Sequence, residues 1–224
     1  ILYIKNTDNK YTYTYINANG TQQTLGTSVG DNTDFETQLY SRAQSTTNIK
    51  KITALKEAVN AFIDNVSTTS PTSQIAIVKF AGNSKADQGD EFYTYGGYRY
   101  NYSQIVKNLT AVNDSGKTIL KNAVNALSPA GCTSSDYGME HAKNIITNDP
   151  NKDRKKVVIM FTDGEPNRQS GFDDTVADSA ISNAKSIKDA GATVYTIGVF
   201  SGAEGTPVTS WNGVSNTNKY MHLV

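Results

Sequence analysis

Hydrophobic positions fall into short blocks along this chain. In the stretch KKVVIMFTDGEPN (155–167), Val157 to Phe161 form a run of five apolar residues, too short for a helix and without alternation. Such a run predicts a strand covered on both faces, as in a parallel sheet. It ends abruptly in Thr162, Asp163 and Gly164. A hydroxyl and a carboxylate then sit at the carboxyl edge of the sheet, where open α/β sheets bind ligands. An Asp-Gly pair after a strand is also an ordinary turn, so the neighbouring segments decide its meaning. Residues 74–80 predict a second short strand, and 192–199 another buried one. Helical periodicity lies between and around them. Ile52, Leu55, Val59, Phe62, Ile63 and Val66 share a face, with Ala54, Ala58 and Ala61 beside them and Thr47 or Asn48 available as a cap. Leu120, Val124 and Leu127 mark a helix over 117–127 that Ser128-Pro129 ends. Met139, Ala142, Ile145 and Ile146 mark a third helix, entered through Thr133 to Asp136 as possible caps. Val176, Ala180, Ile181, Ala184 and Ile187 mark a fourth, capped by Asp173 and closed at Gly191. This order predicts an α/β fold with a doubly wound, mainly parallel sheet flanked by helices.

Two stretches interrupt the pattern and predict β-rich surface insertions. Residues 1–5 and 11–16 read as a hairpin, with Tyr11, Tyr13 and Tyr15 on one face and Thr12 and Thr14 on the other. From 17 to 47 the composition turns to Gly, Asn, Thr, Gln and Ser without a clear period, which predicts an irregular excursion. Its string Gly26-Thr27-Ser28-Val29-Gly30 matches G-x-S-x-G, but the buried strand and following helix of a nucleophile elbow are not written around it. Residues 82–102 hold Phe92, Tyr93, Tyr95, Tyr98, Tyr100 and Tyr102 around Gly96-Gly97, an aromatic hairpin. Tyr95, Tyr98 and Tyr100 are the candidates for direct contact with a ligand; the plainer alternative is that they pack on their own domain. The division expected is a β-rich arm over 1–48 and an α/β domain over 49–224 carrying the 82–102 insertion.

An enzyme finds little support. AVNDSGKT (111–118) is a relaxed P-loop string, but 103–109 looks too polar for the buried strand that must lead into a phosphate cradle, and Asp114 would oppose the phosphates. Cys132 and His141 suggest a thiol and base, yet a small loop residue and a helix-surface histidine explain them as well. Glu165 is expected to face solvent and Asp136 to cap its helix. Trp211, in the polar stretch 201–218, reads equally as a packed anchor or an exposed contact.

Composition narrows the partner. With 21 basic and 21 acidic residues, the net charge of +0 offers no basic excess for nucleic acid. One Cys excludes an internal disulfide, and two His make no zinc cluster. No apolar run reaches membrane-spanning length. Thirteen Tyr among abundant Thr, Asn and Ser suit a contact surface. The start at Ile1 without Met and the stop at Val224 within an unfinished element suggest that both ends are cut.

Three stretches together carry a resemblance. GCTSSDYGM (131–139) before a helix, VVIMFTDGEPN (157–167) and ATVYTIGVF (192–200) resemble a von Willebrand factor type A domain, and KITALKEAVNAFIDNV (51–66) and SQIAIVKFAG (73–82) stand in the matching order. The likeness covers about 49–200, and the tail NKYMHLV is similar to the segment that follows in Gram-positive surface proteins of the family. The resemblance implies a metal-ion-dependent adhesion site holding Mg²⁺ or Mn²⁺, with Thr133 matching the family's Thr ligand and Asp163 its water-mediated Asp. Gly131, Thr162 and Gly164 would shape the two loops. The family's DxSxS motif occurs nowhere in the 224 residues. The first strand that carries that motif, and the C-terminal helix, are therefore expected to be missing, with 1–47 inserted between motif and first helix as in the arms of pilus-tip members. The function implied is an extracellular adhesive module of a cell-surface, cell-wall or pilus protein. It would recognise a host or matrix protein, or a neighbouring pilus subunit, through the cation and without nucleic acid or membrane insertion. The alternative is a metal-independent interaction module; an NTPase through 111–118 is more remote.

Overall fold

The computed structural model describes residues 2–5, 10–16, 21–29, 50–169 and 171–199. They divide into two compact units, 1–50 and 51–224. In the first unit, β1 (Leu2–Lys5), β2 (Lys10–Ile16) and β3 (Gln22–Val29) form an antiparallel sheet in that order. The hairpin is the one expected from 1–5 and 11–16, with Tyr3 opposite Tyr13. β3 corrects the sequence expectation, because part of the irregular excursion is a strand paired along β2, with a register shift between Tyr13 and Thr14. QQTLGTSV has no apolar alternation, and its strand character comes from the ladder it completes rather than from its own period. The G-x-S-x-G string lies largely within this strand and not on an elbow. The rest of the excursion, with Thr47 and Asn48, lies outside the described residues, as do Trp211 and the tail.

The second unit begins with α1 (Lys51–Thr69) and β4 (Gln74–Lys79), followed by a hairpin of β5 (Phe92–Tyr95) and β6 (Tyr98–Asn101). Then come β7 (Gln104–Ala111), α2 (Asp114–Ala126) and α3 (Ser135–Asn148). β8 (Val157–Thr162), α4 (Asp174–Asp189) and β9 (Thr193–Gly198) complete it. The helices and strands expected from periodicity are present, with ends displaced by a few residues. β8 and β9 are parallel, Val157 to Thr162 matching Thr193 to Gly198 one for one. β4 pairs with β7 antiparallel. Among the described residues these are separate two-stranded sheets and not one continuous doubly wound sheet.

Two apolar clusters hold the unit together. Ile63 of α1 meets Val112, Leu120 and Val124, with Ile75 and Ile77 of β4 against them. Met139 of α3 meets Ala184, Ile187 and Ala192, with Val158 and Met160 of β8 packed on. Each fully buried Ile or Leu contributes about 1.5–3 kcal/mol relative to exposure. Several sequence expectations are corrected here. The strand at 103–109 exists despite its polarity, because buried Gln104 is satisfied on both ends of its amide: Oε1 accepts from Glu91 N at 3.2 Å, and Nε2 donates to Asp87 O. His141 is buried and not on the surface, its Nε2 lying 3.0 Å from Ser103 O and 3.1 Å from Ser84 Oγ. β8 and β9 are not the strands buried on both faces that their composition predicts. Val157 is 53% exposed, Tyr195 and Ile197 are exposed along β9, and Val199 is exposed just beyond it. Among the described residues each of the two strands pairs with one neighbour.

Candidate functional site

The site grows out of the turn after β8. Thr162 Oγ1 donates to Gly164 O at 3.1 Å, folding the chain back so that Asp163 projects from the rim. Its carboxylate is 66% exposed. A second loop, 131–134, enters α3 with Gly131 at φ +117°, a conformation that suits glycine. Thr133 and Asn167 exchange backbone hydrogen bonds, each 3.1 Å, so the two loops are joined edge to edge. Thr133 Oγ1 comes so near Gly164 that a Cβ added there would lie 3.4 Å from it. The structure thus brings Thr133 beside the Asp163 turn, although the two are far apart in sequence. Lys51, at the start of α1, stands 3.7 Å from Asp163 through its ammonium. Nothing in the sequence singled out Lys51 or Asn167; their roles come from where α1 begins and where the turn returns.

A buried charge fastens the same two loops from below. Asp136, in the first turn of α3, is 3% exposed, and Oδ2 is held by the guanidinium of Arg168, which also lies 4.5 Å over the Tyr137 ring. Asn183 of α4 donates to Asp136 O at 3.4 Å. Asp136 is therefore a buried ion-pair partner within the first turn of α3 rather than the helix cap expected, the cap position falling to Ser134. Among the described residues, Asp136 Oδ1 and the neighbouring Ser135 Oγ are buried and meet no hydrogen-bond partner. Glu165 is half-buried, which corrects the expectation of a solvent-facing residue. Cys132 Sγ donates to Arg168 O at 3.0 Å, and burial pushes its thiol pKa up.

The aromatic hairpin is mounted beside this rim. Gly96 and Gly97, at φ +58° and +80°, make its two-residue turn. Tyr100 is half-buried and stacks on Tyr93 with ring centroids 5.4 Å apart, and Tyr93 also meets Tyr102 at 4.8 Å. A Cβ on Gly131 would sit 3.3 Å from the Tyr100 ring, and Asn101 N donates to Ala130 O at 2.9 Å. The base of the hairpin is thereby tied to the loop that carries Thr133. Tyr95 and Tyr98 stand at the tip, 70% and 72% exposed. At 111–118 a strand does lead into a helix, but Asn113 Oδ1 already accepts from Gly116 N at 2.9 Å, and a Cβ on Gly116 would strike Ala111 O at 1.8 Å. That tight cap leaves no loop in which to cradle phosphate.

The family model of the von Willebrand factor type A domain matches residues 41–222, most of the chain and both loops of the site. The chain belongs to the von Willebrand factor type A domain family. No curated protein sequence matches it. Membership implies a Rossmann-like α/β fold, consistent with the helices and small sheets of the second unit. Von Willebrand type A domains are typically adhesion or protein-interaction modules.

The donor set suits a hard cation in kind. Thr133 and Asp163 offer a hydroxyl and a carboxylate on adjoining loops, and Mg²⁺ prefers oxygen ligands with several retained waters. It falls short in number, since an octahedral ion takes six. Among the described residues no group of three or more His, Cys, Asp or Glu is placed to hold a metal, and no helix is long and apolar enough to cross a membrane.

Proposed function

We propose that this von Willebrand type A chain is the adhesive binding module of an extracellular protein on a Gram-positive cell surface, cell wall or pilus. Its partner is a host or matrix protein, or a neighbouring pilus subunit. Thr133 and Asp163 would hold Mg²⁺ or Mn²⁺ at the rim, and the cation would supply an electrophilic position for a carboxylate of the partner. The observation that carries this is the meeting of the Thr133 loop with the Asp163 turn through the Thr133–Asn167 bridge. The exposed pair Tyr95 and Tyr98 would add contact area beside it, while Tyr100 serves as their pedestal. The same exposed pair favours a second possibility, a module that binds through the hairpin without metal.

Calorimetric titration of Mg²⁺ and Mn²⁺ decides between them. This chain is expected to bind weakly or not at all, because two fixed ligands are too few. A chain extended at its N-terminus by its natural residues should bind, and Asp163→Ala or Thr133→Ala should abolish binding. Absence of binding in the extended chain would end the cation mechanism and leave the hairpin as the contact. Lys51→Ala, which removes the ammonium 3.7 Å from Asp163, should raise cation affinity in the extended chain.

A further inference from the structure

We propose that the outer edge of β5 is a docking edge, which takes an extended segment of the partner protein as a third strand of the aromatic hairpin. The proposal rests on the adhesive reading above and names how the hairpin holds its partner. Register decides which backbone groups are on offer. β5 and β6 pair Phe92 with Asn101, Tyr93 with Tyr100, Thr94 with Arg99 and Tyr95 with Tyr98, without a register shift. Across a two-residue turn, Tyr95 and Tyr98 are the pair that exchanges hydrogen bonds, and bonded and non-bonded pairs then alternate down the ladder. Phe92 and Thr94 therefore aim their N–H and C=O groups away from β6. Contacts at the root agree with this phase. Tyr102 N donates to Glu91 O at 3.4 Å, the next bonded pair. Asn101, opposite Phe92, turns its groups outward on the far side, donating to Ala130 O at 2.9 Å and accepting from Gly82 N at 3.0 Å. The β6 edge is thus tied to the domain at Asn101. Among the described residues no backbone group meets the outward N–H and C=O of Phe92 and Thr94.

The side chains of β5 leave this edge open. Sheet edges are commonly blunted by Lys, Pro or a bulge. The strand FYTY carries none of these, and all four of its residues favour extended backbone. By strand alternation Tyr93 and Tyr95 lie on one face, and Phe92 and Thr94 on the other. Tyr93 anchors the root, stacked on Tyr100 and with its hydroxyl accepting from Asn83 N at 3.1 Å. Tyr95 stands exposed beyond it. On the other face Phe92 is exposed too, with the guanidinium of Arg99 3.7 Å from its ring centroid. Arg99 is the one charged residue from Phe92 to Asn101. Donors and acceptors alternating along an edge are matched by another extended backbone, with side-chain neighbours setting its sequence. The strand that fits has an apolar residue beside Tyr95 and an acidic residue on the Phe92 face, near Arg99. Four outward groups make a short ladder, so these side chains must add to it.

The test is run in chelator, which keeps its failure separate from failure of the cation site. The probe is a blocked peptide of about eight residues, alternating Val and Thr with one central Glu, titrated into this chain and followed by amide hydrogen exchange. In the free chain the Tyr93 and Tyr95 amides should be protected and those of Phe92 and Thr94 open. At saturation the peptide should slow exchange at Phe92 and Thr94 by about tenfold or more. Thr94→Pro deletes an outward N–H without removing a bond to β6, and should weaken binding by about tenfold or more while Tyr93 stays protected. Phe92→Pro, at the first residue of the strand, deletes the other outward N–H and should act likewise. Thr94→Ala keeps the N–H and should bind as the parent does. Unchanged exchange at Phe92 and Thr94, or parental binding by both proline variants, would overturn the docking edge. Protection of those two amides in the free monomer would overturn it as well, because the chain would then cover the edge itself. A dimer that Thr94→Pro dissolves would overturn the choice of occupant in favour of a second copy.

Discussion

Arg168 and Asp136 join the two loops of the site, and removing either should loosen both. In Arg168→Ala the Asp136 carboxylate, 3% exposed and with no partner for Oδ1 among the described residues, loses the guanidinium on Oδ2. Breaking a fully buried ion pair by deleting one partner costs about 3–5 kcal/mol. The Arg168 side chain is 42% exposed, so water screens the pair and can reach the vacated oxygen, which reduces the expected cost to about 2 kcal/mol. Part of that is the contact of the guanidinium with the Tyr137 ring, about 0.5–1 kcal/mol. For a unit of this size, 2 kcal/mol lowers the thermal midpoint by about 4–8 °C. Asp136→Asn removes the buried charge while keeping its shape, and should cost less, about 1 kcal/mol. Urea unfolding of both single variants and of the double variant forms the assay. The double variant should be more stable than the sum of the singles by at least about 1 kcal/mol, because each deletion abolishes the same pair. Strict additivity, or a loss below about 0.5 kcal/mol for Arg168→Ala, would show that the loops are held by their backbone bridge alone.

Gly138→Ala should destabilise despite the better helix propensity of alanine, about 1 kcal/mol in its favour. The added Cβ would lie 2.8–2.9 Å from Phe80 Cδ1, Cβ and Cγ, and overpacking of that kind costs about 1–3 kcal/mol. A higher unfolding midpoint, or no recovery on adding Phe80→Leu, would refute the clash. Asp149 should make unfolding acid-sensitive. The backbone N–H of Asn151 at 3.0 Å, together with the ammoniums of Lys156 and Lys152, holds its carboxyl below the ordinary value. Its stabilisation is present above the unfolded pKa and lost as pH falls through the folded one. Asp149→Asn should therefore lose less stability between about pH 5 and pH 3 than the parent chain; equal losses would dismiss it. Cys132, its thiol raised by burial and donating to Arg168 O, should alkylate more slowly at neutral pH than a cysteine peptide, and faster in Arg168→Ala if that loop loosens.

Local periodicity determined the helices of the second unit and the strands β4, β8 and β9, because each presents one face or one short block to a core. The Asn113 and Asp173 caps and the Gly96-Gly97 turn are chemical requirements of single positions. Asp173 and the glycine turn were visible in the chain, whereas Asn113 emerged with the earlier start of α2. The membership in a von Willebrand type A family was legible in the order of three motifs, and the family match spans them. What the sequence could not determine depends on partners remote along the chain. β3 is a strand because β2 lies beside it, and Gln104 is tolerated in a buried strand because Asp87 and Glu91 meet its amide. His141 is buried because Ser103 and Ser84 accommodate its ring, and Asp136 because Arg168 returns to it from the next loop. The site shows the same division. Its residue types, Thr133 and Asp163, stand in the sequence, since a rim hydroxyl and carboxylate are written where strands and loops end. That the two adjoin and that Lys51 faces the carboxylate was decided only by tertiary structure, because pairing between loops and elements is a property of neighbours in space and leaves no period along the chain.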